Sequence, residues 1–276
     1  MTPIEVLTSH QNPKIKQIIK LRDKRARDKT KKFLIEGFRE LSRAIHFGYP
    51  IESVFFSREH FLGVNEEALL EKCGKTAMLY ELPDYLFEKI SYRDRPDGLL
   101  AIAPIIGETL SSFEKKVLSS AKDEPLLLLI AESIEKPGNL GSILRSSDAA
   151  GVHGVILTDK KTDVFNPNVV RASIGTLFSV PILECSSSDA FSFLEKHKVK
   201  LVATTPHTDS LFTEVDLKGP IAIAMGTEQL GLSDEILKRS EIKVKIPMFG
   251  IADSLNVAAS ATLAIYEAVR QRGLAL

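Results

Sequence analysis

Five polar residues stand where a chain could do chemistry: Asn139, Arg145, Glu228, Ser254 and Asn256. The first two lie in Pro137-Gly138-Asn139-Leu140-Gly141-Ser142-Ile143-Leu144-Arg145-Ser146-Ser147-Asp148-Ala149-Ala150-Gly151. Asn139 reads as a helix N-cap and Gly151 as the residue after its end, so Arg145 sits about two turns in and reaches back along the helix. Glu228 follows Gly226 in Met225-Gly226-Thr227-Glu228-Gln229-Leu230-Gly231-Leu232-Ser233, a buried strand running into a two-glycine loop. Glycine at a strand's end permits close backbone approach, and a carboxylate beside it can anchor a loop or a polar group. Ser254 and Asn256 open a helix after Ile246-Pro247-Met248-Phe249-Gly250. Free backbone N–H groups at that helix start, with a hydroxyl and an amide, make a pocket for a polar small molecule. Each stretch alone is also explained by an ordinary cap, a surface arginine or a structural turn.

The elements that position these residues alternate. From Phe33 to Ala103, strands at Phe33–Ile35, Ile51–Phe56, Thr76–Leu82 and Leu99–Ala103 are separated by helical segments at 37–47, 66–72 and near Tyr85, which predicts a small α/β unit. A Ser- and Lys-containing stretch from Pro104 to Glu124 lacks a strong buried pattern and reads as the boundary. Beyond Pro125, apolar runs at Leu126–Ala131, Gly154–Leu157, Leu201–Thr205, Ile221–Ala224 and Ile242–Ile246 read as strands buried on both faces, hence a mostly parallel sheet covered by helices. The expected organisation is a domain over 1–105, a linker over 106–124 and a second α/β domain over 125–276. No G-x-G-x-x-G follows the first strand of that second series, and G-x-x-x-x-G-K-[ST] and G-x-S-x-G do not occur, which removes the main support for dinucleotide, P-loop and α/β-hydrolase readings.

Thirty-six basic and thirty-six acidic residues cancel overall, but their distribution is uneven. Residues 14–32 carry ten basic side chains against Asp23 and Asp28. Asn12-Pro13 ahead of Ile15, Ile18 and Ile19 predicts an amphipathic helix with a basic face there. Lys14, Lys20, Arg22, Lys24, Arg25 and Arg27 are the candidate nucleic-acid contacts, since each basic side chain on a phosphate releases a condensed counterion; the alternative is a solvated helix with a charged linker. Arg93-Asp94-Arg95-Pro96-Asp97-Gly98 is a second charged, turn-rich candidate. Cys73 and Cys185 have neither metal-ligand spacing nor enough partners for a disulfide framework, which suggests a reducing compartment. With no signal-peptide pattern at the start and no apolar run long enough to span a bilayer, the expectation is a cytoplasmic, membrane-free protein.

Taken in order and spacing, the motifs resemble those of the SpoU/TrmH family of knotted RNA 2′-O-methyltransferases. The matching blocks are N-L-G-S-I-L-R-x-x-D-A-A-G at Asn139–Gly151, R-A-S-I-G-T-L-F-S-V-P at Arg171–Pro181, G-x-E-x-x-G-L-S at Gly226–Ser233, and I-P-M with S-L-N-V at Ile246–Val257. The likeness spans about Leu126 to Arg272. The N-terminal half, beginning His10-Gln11-Asn12-Pro13-Lys14, resembles the ribosomal-protein-L30e-like RNA-binding domain often joined to it. The resemblance implies a trefoil-knotted C-terminal domain, which connection rules alone would make improbable. It also implies S-adenosylmethionine as cofactor, held around Thr205, Gly226, Ile246, Met248 and Leu255, and no metal.

By the same resemblance, Arg145 acts at the ribose hydroxyl, with Asn139, Glu228, Ser254 and Asn256 completing the pocket. A guanidinium has no free lone pair at neutral pH, so its role is electrostatic, and the proton goes to a phosphate oxygen, a water or a transiently neutral arginine. The family pattern implies a homodimer, with Ala258, Ala261 and Ala264 of the last helix as small interface residues. Two departures stand in the second motif: Thr227 replaces a small or amide residue, and Gln229 replaces a glycine. The expected substrate is ribosomal RNA; the alternatives are transfer RNA, a catalytically silent RNA-binding or ribosome-assembly factor, and, more remotely, base methylation.

Overall fold

The computed structural model describes residues 3–273. Residues 1–2 and 274–276, at the outer ends of the two expected domains, lie outside the described residues. In chain order the elements are β1 (Ile4–Val6), α1 (Pro13–Leu21), α2 (Lys24–Thr30), β2 (Lys32–Glu36), α3 (Phe38–His46), β3 (Ser53–Phe56), α4 (Glu66–Cys73), β4 (Met78–Glu81), α5 (Asp84–Ile90) and β5 (Leu99–Pro104). Then follow α6 (Leu110–Ala121), β6 (Leu127–Glu132), α7 (Pro137–Ala149), β7 (Gly154–Thr158), α8 (Pro167–Ala172), β8 (Ile182–Glu184) and α9 (Ser187–Lys196). The chain closes with β9 (Lys200–Thr204), β10 (Ile221–Met225), α10 (Asp234–Arg239), β11 (Ile242–Val244) and α11 (Val257–Gln271). Two compact units form: Met1–Ile106 with Asp163–Ser179, and Gly107–Thr162 with Val180–Leu276. The segment bearing α8, within the run that resembles a methyltransferase, thus belongs to the first unit.

The first unit is built on a five-stranded sheet in the order β1-β4-β3-β5-β2, in which β5 runs antiparallel to β2 and β3. Asn12 caps α1 and Pro13 occupies its first turn, as the Asn-Pro pair predicts. Ile15, Ile18 and Leu21 follow at helical spacing and enter one core with Leu34, Phe55, Leu100 and Ile102. Gly37 joins β2 to α3 at φ +115°, and a Cβ there would lie 2.3 Å from Glu40 Oε2, so only glycine is accommodated.

The second unit carries a six-stranded sheet, parallel throughout, in the order β11-β9-β10-β6-β7-β8. All six residues of β6 and all five of β10 are buried, the mark of a strand covered on both faces. The stretch expected to link the domains holds α6 in its middle, where Phe113 and Val117 are fully buried in the sheet's core. Strands β6 and β10 are neighbours, yet the chain leaves β6 toward β7 on one side and leaves β10 toward β11 on the other. A crevice opens beyond the C-terminal ends at such a point, and ligands bind there in open α/β sheets.

Candidate active site

The loops after β6 and β10 and the cap of α11 meet at that crevice. Asn139 Nδ2 donates to Glu228 Oε1 at 3.0 Å, and Asn256 Nδ2 donates to the same oxygen at 2.8 Å. Asn256 Nδ2 also donates to Asn139 Oδ1 at 3.0 Å, which closes a triangle of two amides and a carboxylate. Lys136 Nζ lies 2.5 Å from the second carboxylate oxygen. The Lys136 hydrogen bond is the main reason that the Glu228 carboxyl is held below the usual carboxylate range; burial opposes it and Asn139 assists. Asn256 is the N-cap of α11, its Oδ1 accepting from Ala258 N at 3.0 Å and Ala259 N at 3.4 Å.

Asn139 itself is not a cap. The helix α7 begins at Pro137 with Lys136 as its N-cap residue, and Pro137 supplies the fixed φ of a first helical position. Asn139 therefore sits inside the first turn, where its side chain is free to face Glu228. Arg145 is exposed on α7, and among the described residues neither its guanidinium nor the Ser254 hydroxyl makes a side-chain hydrogen bond. Of the five expected catalytic residues the fold joins Asn139, Glu228 and Asn256, and leaves Arg145 and Ser254 facing outward. Sequence reasoning passed over Lys136, whose signal was a lysine next to Glu135 and just ahead of Pro137. It also passed over Glu132, buried at the end of β6, whose Oε2 accepts from Ser233 N at 2.7 Å and so fixes the start of α10.

The parallel registers bring the expected cofactor residues to one sheet edge, since Val244 of β11 pairs with Thr204 of β9 and β10 lies on the other side of β9. Thr205 is buried; its N–H donates to Val244 O at 2.9 Å and its Oγ1 accepts from His207 N at 3.3 Å. Beside it, Thr204 Oγ1 is buried with no hydrogen-bond partner. Ile246 is half-buried, and Met248 and Leu255 are each 37% exposed. Gly226 was expected to clear space for a ligand, but its close neighbour is the protein: a Cβ there would lie 2.1 Å from Gly231 O. The loop turns back on itself, Thr227 and Gly231 exchanging two 3.0 Å backbone hydrogen bonds while Thr227 Oγ1 accepts from Leu230 N at 2.9 Å. Thr227 thus braces the loop from within. Gln229 costs it no strain, because the positive φ falls at Gly231 and not at Gln229.

Three further expectations change. Ala258, Ala261 and Ala264, expected at a subunit interface, are buried where α11 packs on α7 and β10 of the same chain; its exposed side carries Ala259, Leu263 and Tyr266. Arg27, expected to meet RNA, is 1% exposed. It is paired with Asp163 at 2.8 Å and donates to Leu21 O and Arg22 O, so its fixed role is to join α2 to the α8 segment within the first unit. The rest of the basic set is graded. Lys14 lies 4.5 Å over the Tyr80 ring, Arg22 donates to Ser91 O at 2.8 Å, and Lys24 pairs with Asp28 at 2.6 Å, which leaves Lys20 and Arg25 exposed with no side-chain partner among the described residues.

The chain's likeness to known proteins divides it by sequence, so that residues 163–179 of the first unit fall within the C-terminal match. Residues 126–266 match the SpoU rRNA Methylase family, and residues 12–101 match an MRM3-like substrate binding domain. A 23S rRNA (uridine(2479)-2′-O)-methyltransferase of Streptomyces viridochromogenes is 31% identical over 91% of this chain and 87% of its own. Among solved structures, an RNA 2′-O ribose methyltransferase superposes with a TM-score of 0.82 at 39% identity, covering 98% of this chain and 100% of that one. An AdoMet-bound rRNA methyltransferase from Sinorhizobium meliloti reaches 0.86 at 28% identity, covering 99% of both.

Proposed function

The chain belongs to the SpoU rRNA methylase family, and from that membership we propose that it methylates a ribose 2′-hydroxyl of ribosomal RNA, with S-adenosylmethionine as donor. The observation that carries the reading is the Asn139–Glu228–Asn256 triangle at the β6/β10 crevice. The residues around the crevice suit the donor: Thr204 offers an unpartnered buried hydroxyl, and the exposed side chains of Met248 and Leu255 offer apolar cover. Thr205, Gly226, Ile246, Met248 and Leu255 are the residues that would hold it. When bound, this group supplies a methyl already activated on a sulfonium.

What the chain must add is position and charge. Asn256 spends both amide protons, on Asn139 and Glu228, and its Oδ1 on the start of α11, so it acts as a fixed post. Asn139 spends one amide proton on Glu228 and keeps the other, a donor aimed by its neighbours and free for a ribose oxygen. Glu228, its carboxyl held below the usual carboxylate range chiefly by the Lys136 hydrogen bond, orients both amides. Arg145, exposed on its helix with no side-chain partner among the described residues, is free to hold the phosphate beside the target ribose and to steady the alkoxide as the hydroxyl passes its proton to a phosphate oxygen or a water. Holding the hydroxyl in line with the donor methyl accounts for most of the rate, because the methyl already has a good leaving group.

A homodimer, a knotted path for the C-terminal domain, independence from metal and a cytoplasmic location belong to this reading. The dimer is supported by the apolar exposed face of α11 and by Phe249 and Ile251, which are almost fully exposed at the loop before it. The two unpaired cysteines support a reducing compartment. Isothermal calorimetry tests the donor directly: wild type binds S-adenosylmethionine with a micromolar Kd, and no binding at millimolar donor would replace this reading with that of a silent RNA-binding factor.

A further inference from the structure

The first unit holds a cavity of about 530 Å³, walled by α3, the loop ahead of α4, the Arg93–Asp97 turn and α8. Its floor is a rigid ionic net. Arg93 Nη2 donates to Glu40 Oε1 at 2.6 Å and to Glu36 O at 2.7 Å, and Asp97 Oδ2 accepts from Phe38 N at 2.8 Å. The Nη2 of Arg93 is thereby spent, while its Nε is buried without a partner. Three other arginines reach the same cavity: Arg39, Arg95 and Arg171 are exposed, and among the described residues their guanidinium groups have no partner. Their convergence from three separate segments is hard to explain as solvation alone, since like charges gathered on one rim repel.

Two acceptors in the wall are incomplete. Glu66 is 4% exposed; its Oε1 takes the Gly63 N–H at 2.7 Å, but its Oε2 is buried without a partner, as is Asp97 Oδ1. Buried carboxylate oxygens are nearly always satisfied, and an unsatisfied one in a cavity wall marks the place of a missing donor. The cavity thus asks for a ligand with anionic groups at its rim and N–H donors within. A bare phosphate fits poorly beside Glu66; a nucleotide has its phosphate and its base edge separated.

We propose that this cavity receives one unpaired nucleotide of the substrate RNA, with its flanking phosphates on Arg39, Arg95 and Arg171 and the donor edge of its base against Glu66. Guanine fits best, because its N1–H and N2–H lie side by side. Phe38 and Leu62, both lining the cavity, provide apolar walls for the base faces, in the manner by which RNA-binding surfaces take up splayed single-stranded bases. The proposal rests on the RNA-modifying reading above and adds a site apart from the basic face of α1 and α2.

The test is fluorescence anisotropy on the full chain with labelled single-stranded oligouridine octamers, one bearing a single central guanosine. Wild type binds the guanosine octamer about tenfold more tightly, and Glu66→Gln, which keeps the side chain's shape, brings the two within twofold. Arg39→Ala, Arg95→Ala and Arg171→Ala weaken both octamers alike and each lower the slope of log K against log salt by about 0.7, with unchanged thermal melting. Micromolar GMP displacing the octamer would mean a free-nucleotide site and overturn the RNA assignment, as would equal binding of both octamers by wild type or an unchanged salt slope in the arginine variants. Failure of the methyl-transfer reading is separate: it would appear as absent S-adenosylmethionine binding while the octamers are still discriminated.

Discussion

Asn139 and Asn256 stand 117 residues apart in the chain and are joined by a 3.0 Å hydrogen bond while both donate to one oxygen of Glu228. The amide of Asn256 also starts α11, so the geometry of the site and the placement of the last helix depend on one side chain.

That shared role predicts coupling. Asn256→Ala loses the cap, at a cost of about 1 kcal/mol, and releases Glu228 and Asn139 together. In a double-mutant cycle with Asn139→Ala, urea unfolding should give a non-additive term of about 0.5–3 kcal/mol. Strict additivity would show that the triangle is not a unit.

Gly226 and Gly138 make an opposed pair. Gly226→Ala drives a Cβ into the Gly231 backbone and should cost about 1–3 kcal/mol or more, with loss of donor binding as the loop shifts. Gly138 lies in the first turn of α7 with open space around it, so Gly138→Ala should be neutral or stabilising by up to about 1 kcal/mol. Chemical denaturation of the two variants separates these outcomes.

Within the basic block, Arg27 and Arg25 should behave oppositely. Arg27→Ala strands Asp163 in the interior and should cost about 3–5 kcal/mol of stability. Arg25→Ala, on an exposed side chain, should leave stability within about 0.5 kcal/mol and lower both RNA affinity and its salt dependence. Thermal melting and RNA titration together read the difference.

His153 supplies a pH dependence. Burial first, and then the Arg272 guanidinium, push its pKa below the ordinary 6.5, while its Nδ1 accepts from Leu127 N at 3.0 Å. The unfolded chain takes up the proton before the folded one does, so this contribution is complete above about pH 6.5 and is lost as pH falls from there through the folded pKa. Stability by urea unfolding should therefore drop between pH 7.5 and 5.5, and His153→Gln should flatten that drop.

Most of the sheet of the second unit was legible because its central strands, such as Leu127–Glu132 and Ile221–Met225, are buried on both faces and read as unbroken apolar runs. The three-residue strands β1 and β8 were not, since β1 is exposed throughout and neither is long enough to show a period. The site's residues were legible through resemblance, but their geometry was not. Asn139 reads as a cap, but Pro137 opens the helix and puts the cap three residues earlier at Lys136, and Arg27 reads like its basic neighbours because nothing local announces Asp163, 136 residues away. Long-range pairing is invisible to any reading of local pattern. The assignment of residues 163–179 to the first unit was hidden for the same reason.

The central claim is methyl transfer to ribose, and one measurement meets it directly. Ribosomal RNA is incubated with the protein and methyl-labelled S-adenosylmethionine, digested to nucleosides and resolved by mass spectrometry. The account predicts label in a 2′-O-methyl nucleoside, reduced about 10²–10³-fold by Arg145→Ala. Label on a base, or no donor-dependent transfer by protein that binds both RNA and donor, would contradict it.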